Sequence, residues 1–245
     1  SHWWSTTSPE GVDYAAIADD LSGDSTLATF HEQGRPVGQF RLPLPGLHNL
    51  SNATAAMAVC RLHGVSFAEL RRAVEGLQAP GRRFDFRGTW NGRQVVDDYA
   101  HHPSEVDATL AMARLMVSSG RSPLPEAPQR LLAVFQPHRY SRTAEFLEPF
   151  ARALSQADAV LLAPLYAAGE TPIPGISSEA MAAAVRRLAP DLPVDVATSL
   201  EGLADAVARH SRPGDLVLAM GAGDVNGLWG RLQERDEPAA LPLAA

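Results

Sequence analysis

Lysine is missing altogether from this chain of 245 residues, so all 21 of its basic side chains are arginine. That excludes a phosphate-binding loop of the Gly-x-x-x-x-Gly-Lys-Ser/Thr kind, whose lysine sits as a point charge on the terminal phosphates. It also excludes Schiff-base chemistry supplied by this chain. Cysteine is nearly absent: Cys60 stands alone, can form no internal disulfide, and on an Ala- and Val-rich helical face reads as a buried small hydrophobe rather than a nucleophile. No run approaches the ~18 apolar residues of a membrane span, and no charged-then-apolar leader opens the chain. A soluble, unexported, cytoplasmic protein with no membrane partner is the expectation. The net charge of −7 offers no cluster of cations for phosphate neutralisation, which argues against nucleic acid as a partner.

What is present suits a sizeable core. The apolar fraction is 45%, and a chain of this length buries roughly 70% of its unfolded surface as one large domain or two. Thr26 to Leu44 alternates apolar and polar residues about Glu32-Gln33-Gly34-Arg35 and reads as a hairpin closed by Pro43 and Pro45. Asn49 to His63 repeats apolar residues at helical spacing (Ala53, Ala56, Met57, Val59, Cys60) and stops at Gly64, a left-handed cap. Ser66-Phe67-Ala68-Glu69 fits a capping box for a second helix reaching about Leu77.

Ala79-Pro80-Gly81 is a breaker triplet, and the pattern changes there from paired helices to alternating strand and helix, which places a domain boundary and a hinge at that point. Beyond it we read strands at Phe84 to Gly88, Gln94 to Asp98, Leu131 to Phe135, Ala159 to Leu162, Val194 to Ala197 and Leu216 to Met220. Helices are expected over Ser104 to Val117, Phe146 to Ala157, Ser178 to Leu188, Leu200 to His210, and from Asn226 onward. Pro149 would force the second of these to begin irregularly and restart near it. Arg121 to Gln129 reads as a loop and the tail after Asp236 as frayed. The pattern is that of an α/β protein with a doubly wound, mostly parallel sheet, a fold that binds ligands at the carboxyl ends of its strands.

Two polar runs sit at such ends. In Asp97-Asp98-Tyr99-Ala100-His101-His102-Pro103, the proline suits the first helical position, a carboxylate can hold a ribose diol, and a neutral imidazole can take a proton near pH 7. Asp97 and His102 serve equally well as backbone caps. In Phe135 to Thr143, His138 stands beside Arg139 and Arg142, which project to one side if the loop turns helically. Their guanidinium forks match carboxylates and phosphates, although a solvated Arg-x-x-Arg is the plainer alternative. Gly81-Arg82-Arg83-Phe84 lies at the hinge, where an arginine could reach a ligand or form a linker salt bridge. His48, Asn49 and Asn52 open the Ala-rich helix; asparagine suits adenine's edge, and capping is the alternative. Gly221-Ala222-Gly223-Asp224 leads from the last strand to the last helix. Its glycine pattern is incomplete for a dinucleotide site, which disfavours an oxidoreductase and points to tight packing.

Gly46-Leu47-His48-Asn49-Leu50-Ser51-Asn52-Ala53, Gly81 to Phe84, Asp97 to Glu105, Phe135 to Thr143, Tyr166-Ala167-Ala168-Gly169-Glu170 and Gly221 to Asp224 together resemble the Mur ligase family over nearly the whole chain. Leu47 departs from the arginine usual there. The resemblance implies residues 1–80 as the C-terminal part of a central, ATPase-type domain, and 81–245 as a C-terminal, Rossmann-like, amino-acid-binding domain. It implies an ATP-dependent, magnesium-assisted ligase of peptidoglycan synthesis that joins L-alanine to UDP-N-acetylmuramate through an acyl phosphate. His48, Asn49 and Asn52 would then meet adenine, Asp98 the ATP ribose and Arg83 the phosphates. Tyr99, His102, His138, Arg139 and Arg142 would frame the alanine, with His138 and Arg83 as the catalytic pair. The family's UDP-sugar domain, P-loop lysine and metal ligands belong to a region before this one, so the chain by itself is expected to be catalytically incompetent. The competing expectation is a non-catalytic remnant that binds nucleotide or amino acid.

Overall fold

A computed structural model describes residues 1–77 and 81–235. Gln78, Ala79 and Pro80, which include most of the expected breaker triplet, and the tail after Asp236 lie outside the described residues. The chain divides into two compact units, one of Ser1–Pro80 with Ala111–Ala127 and the other of Gly81–Leu110 with Pro128–Ala245. No helix of the described residues is long and apolar enough to cross a membrane.

The first unit carries a four-stranded sheet in the order β1 (Trp4–Ser5), β2 (Tyr14–Leu21), β3 (Thr26–Glu32), β4 (Arg35–Leu42). The hairpin turns at Gln33 and Gly34 with φ of 48° and 76°, the doubly positive turn that matches the strands' right-handed twist. Strands β1 and β2 escape a reading by alternation, because Tyr14-Ala15-Ala16-Ile17-Ala18 is alanine-rich and owes its extended form to pairing with β3. Helix α1 (Leu47–Leu62) starts two residues earlier than Asn49 and buries Leu50, Ala53, Thr54, Met57 and Ala58. Ala56 and Val59 are exposed, against the expected face, and Cys60 is only half-buried. Gly64 takes φ +86°, and the amides of Gly64 and Val65 return to Arg61 O and Cys60 O, which closes the helix in the manner expected of a left-handed glycine. Helix α2 (Phe67–Glu75) has the full capping box of Ser66 with Glu69. Both helices pack their apolar side chains on Phe30, Phe40 and Leu42 of the sheet.

The second unit is built on a six-stranded sheet of order β5-β6-β10-β7-β8-β9. Its strands are β5 (Asp85–Trp90), β6 (Arg93–Asp98), β7 (Arg130–Phe135), β8 (Ala159–Leu162), β9 (Val194–Val196) and β10 (Asp215–Met220). All neighbours are parallel except β5 with β6, which form a hairpin turning at Asn91 and Gly92, φ 46° and 75°. Helices α3 (Pro103–Ser119, of which the part from Ala111 is counted with the first unit), α4 (Tyr140–Glu145), α5 (Leu147–Leu154), α6 (Ser178–Leu188), α7 (Leu200–His210) and α8 (Leu228–Glu234) follow the strands, with a short 3-10 turn at Val225–Gly227. Leu203, Ala204 and Val207 of α7 and Leu228 and Leu232 of α8 join Val95, Leu132, Val134 and Val217 on one face. Phe135, one residue on from Val134, faces the other way and meets Phe150 of α5 with ring centroids 5.1 Å apart. Helices on both faces make the sheet doubly wound. Its inner strands β7, β8 and β10 are buried almost throughout, as a parallel sheet covered on both faces requires, while the edge strand β9 is half-buried. The helix expected over Phe146 to Ala157 is α5, which ends earlier, at Leu154, and carries Pro149 in its first turn where the missing N–H costs nothing; the short helix α4, which was not expected, precedes it and meets it at Phe146.

Candidate ligand-binding rim of the second unit

Four parallel strands finish level with one another. Met220 pairs with both Asp98 and Phe135, and Phe135 pairs with Leu162, so the loops after β6, β7, β8 and β10 emerge along one edge. Gln136 binds three of them together. It is 2% exposed; its Nε2 donates to Asp224 Oδ1 at 2.7 Å and to Pro164 O at 3.2 Å, and its Oε1 accepts the Val225 amide at 3.0 Å. A Cβ at Gly223 would lie 2.4 Å from that Oε1 and 2.7 Å from Tyr166 Cγ, so close loop packing is what this glycine provides.

Asp98, at the end of β6, is buried and has both oxygens engaged: Oδ2 accepts the Phe84 amide and Oδ1 the Ala100 amide, each at 2.7 Å. Burial pushes its carboxyl above the usual range, with those amides and the Arg83 guanidinium pulling the other way. Asp97 holds Arg82, whose Nε donates at 3.1 Å while Nη2 donates to Gly221 O at 3.1 Å; its guanidinium carbon lies 4.9 Å from the Tyr99 ring centre, within cation–π range. Arg83 is exposed. The turn that carries these arginines has positive φ at Arg82 and Phe84, 57° and 51°.

Four rings run across the rim from Tyr99 to His101 (5.0 Å), His101 to His138 (6.0 Å) and His138 to Tyr166 (5.4 Å, stacked at 8°). Arg142 Nη1 stands 3.4 Å from His138 Nδ1. Burial holds the His138 imidazole below its ordinary range, helped by the charges of Arg142, His101 and Arg139 and opposed by Glu170. Arg139 is the residue before α4 and takes φ +72°, a conformation costing a non-glycine residue about 1–3 kcal/mol. Its amide donates to Tyr166 O at 2.8 Å and its carbonyl accepts from Thr143. Glu170 accepts the Ser141 amide at 2.9 Å and the Ser141 hydroxyl at 2.6 Å, which holds its carboxyl below the ordinary range.

The structure thus brings Tyr99, His138, Arg139 and Arg142 to one rim with Asp98 and Arg83 on the same edge. His102 turns onto Phe146, ring centres 5.1 Å apart, with its Nδ1 2.8 Å from Ser104 Oγ; it precedes Pro103 of α3, and Glu105 accepts the amides of both histidines at 3.1 Å. The remaining candidates belong to the first unit. Asn49 Nδ2 donates to Pro45 O at 2.8 Å, Asn52 is exposed, and His48 is half-buried at the start of α1. Arg82, His101, Tyr166 and Glu170 complete the arrangement without having been singled out by their chemistry. Tyr166 and Glu170 follow a buried strand as the other runs do, and that position was the signal available.

The rim loops are rich in guanidinium and imidazole and sit on a Rossmann-like sheet, and guanidinium forks match carboxylates and phosphates in geometry. Residues 82–223 match the model of the family described as Mur ligase, glutamate ligase domain, and the chain belongs to the Mur ligase family, whose members are ATP-dependent. The chain is 65% identical over 230 residues to the UDP-N-acetylmuramate--L-alanine ligase of Synechococcus sp. (strain CC9605), covering 94% of this chain and 49% of that protein. It is 62% identical over 240 residues to the ligase of the same name from Prochlorococcus marinus (strain MIT 9303), covering 98% and 49%. It therefore spans about half the length of the curated relatives it matches. Among solved structures, the UDP-N-acetylmuramate-alanine ligase of Thermotoga maritima shares the fold with a TM-score of 0.75, at 23% identity over 96% of this chain and 47% of that one.

Proposed function

We propose that the chain is the part of a cytoplasmic, ATP-dependent ligase that receives L-alanine for attachment to UDP-N-acetylmuramate. In this reading, residues 1–80 form the end of the central ATP-binding domain and 81–245 the amino-acid-binding domain. The observation that carries it is the 65% identity to a ligase of that name over 94% of the chain, with the rim supporting the assignment of roles. ATP would phosphorylate the lactyl carboxylate of UDP-N-acetylmuramate. The alanine amine would then attack the acyl carbon, giving the amide, ADP and phosphate, while the amine proton needs an acceptor. His138 is the candidate. Burial and the neighbouring cations favour its neutral form; with Nδ1 facing Arg142 the proton of the neutral ring belongs on Nε2, so Nδ1 becomes available as a base once Arg142 turns to a substrate carboxylate. Tyr99 would wall the pocket against larger side chains, and Arg83 would meet phosphate. Asp98 would face the ribose with the lone pairs its two amide partners leave. His48, Asn49 and Asn52 would serve adenine, and His102 would act mainly by shaping the start of α3. Among the described residues no group of three or more His, Cys, Asp or Glu is arranged to hold a metal ion, and no step here is routed through magnesium.

Phosphate release in the presence of ATP, UDP-N-acetylmuramate and L-alanine tests competence, and the expected result for this chain by itself is none. Titration of the chain with L-alanine, followed through the His138 imidazole and the arginine Nε resonances, tests the rim. Movement of His138 and Arg142 supports the reading. Resonances that stay still at high L-alanine overturn it.

A further inference from the structure

The two rim arginines differ in a way their spacing does not reveal. Arg139 has a carboxylate partner, with Nη1 3.7 Å from Glu170 Oε1. Arg142 has none among the described residues, and its guanidinium stands against His138 Nδ1 at 3.4 Å. Glu170 also holds the first turn of α4 through both Ser141 donors. The backbone between them is stitched to the same loop, because Tyr166 N donates to Pro137 O and Arg139 N to Tyr166 O, both at 2.8 Å. The loop after β8 therefore grips the loop after β7 at Arg139, whose φ is +72°, and Glu170 supplies the charge at that grip.

Resting on the amino-acid-binding reading above, we propose that Glu170 is a positioning residue: it ties Arg139 into the frame of the rim and leaves Arg142, set against His138, as the guanidinium that receives the incoming carboxylate. A guanidinium already paired with a carboxylate is a poorer receptor for a second anion than an unpaired one, which keeps its full charge and its fork.

The test uses NMR on the full chain and on Glu170→Gln and Glu170→Ala. The charged groups facing His138 are Arg142, His101, Arg139 and Glu170, and of these Glu170 favours the imidazolium. Both variants should therefore shift the His138 titration to lower pH, which loss of packing by itself would not do. Glu170→Ala should also speed exchange of the Ser141 amide by about tenfold, as loss of a charge-assisted hydrogen bond implies, and Glu170→Gln, which keeps an acceptor oxygen, by less. An unchanged His138 titration together with unchanged exchange across Ser141 to Thr143 overturns the positioning role. With L-alanine, the Arg142 Nε resonance should move in the wild type and Arg139 should not, whereas in Glu170→Ala both should respond. An equal response of Arg139 and Arg142 in the wild type overturns the division between them. No response from either overturns the amino-acid reading and the receptor role with it, while the ligand-free measurements still decide whether Glu170 holds Arg139.

Discussion

Replacing Gln136 with leucine should loosen the second unit from its rim inward. The side chain is buried and makes three hydrogen bonds to two other loops. Leucine leaves the Val225 amide, itself fully buried, without an acceptor, at about 1–3 kcal/mol. It also removes a charge-assisted bond to Asp224, which belongs to the stronger class at about 1.5–3 kcal/mol, although Asp224 and Pro164 are open enough to regain water. Leucine's own burial offsets part of this, and a net loss of about 2–4 kcal/mol remains. Because a chain of two units need not unfold in one step, the assay should be native-state hydrogen exchange at Val134 of β7 and Leu218 of β10, the sheet's interior. Their slowest opening should speed up about 30- to 1000-fold, the same loss expressed as a ratio. Gln136→Glu sharpens the test. It would set a second carboxylate where the amide now donates to Asp224 at 2.7 Å, and burial plus like charge raise the folded-state pKa of such a group. Raised in the fold, it contributes its stability below its unfolded value near 4.3 and loses it as pH rises through the folded value. The deficit relative to wild type should therefore be smallest below about pH 4 and grow towards neutrality. A Gln136→Leu loss under about 1 kcal/mol, or a Gln136→Glu deficit independent of pH, would refute the claim that this amide holds the rim loops together.

Arg142→Gln should move the His138 titration upward, since after burial the Arg142 charge is the largest influence holding it down. A histidine depressed in the fold contributes stability above its unfolded value near 6.5 and loses it as pH falls through the folded value, so the variant should also lose less stability than wild type on acidification. Asp98→Asn should cost about 1–3 kcal/mol at neutral pH, because an amide nitrogen would face one of the two buried N–H donors. The wild-type carboxyl is raised by burial, so its contribution is present below the unfolded value and is lost as pH rises through the folded one. Acidification should therefore favour wild type over the amide variant, as a pair of denaturation curves would show. In the first unit, Ser66→Ala removes one half of a complete capping box and should destabilise α2 by about 1 kcal/mol, measurable as faster exchange of its first-turn amides.

The parts of the fold legible in the sequence were those whose reasons are local. The 26–42 hairpin carried alternation and a glycine turn. The Gly64 stop and the Ser66/Glu69 box depend on residues within one helical turn, and the strands β7, β8 and β10 are nearly continuous apolar runs. Strand β2 was illegible because its alanines have no preference that pairing does not supply. The β5–β6 hairpin went unread although Asn91-Gly92 is a strong turn signal, because Arg87 and Gly88 break the alternation of β5. They do so where a register shift lets Gly88 accept the Trp229 ring, to which a Cβ would come within 2.5 Å. At the rim, the residue types in the runs after β6 and β7 suggested the chemistry. Their division of labour was illegible, because the partners that define it come from elsewhere in the chain: Glu170 after β8 for Arg139, and Gly221 after β10 for Arg82.

The missing lysine shapes this division more than any single contact. A lysine can lose its proton when buried and serve as a base, whereas a guanidinium stays charged under the same conditions. In a chain whose every fixed cation is arginine, binding anions and accepting protons must fall to different side chains. The structure separates them accordingly. Arg82 and Arg139 are paired with Asp97 and Glu170 and act as frame. Arg142 has no carboxylate partner among the described residues. His138, below its ordinary range through burial, is left with the proton. The two rim carboxylates nearest this chemistry are committed to orienting donors, Asp98 two amides and Glu170 both donors of Ser141, which leaves the imidazole better placed than either to act as the base. If amine deprotonation takes place at this rim in a catalytically complete ligase that carries it, the pH dependence of the step there should follow the titration of His138. A variant that shifts that titration without touching the rim's arginines should move the rate profile by the same amount.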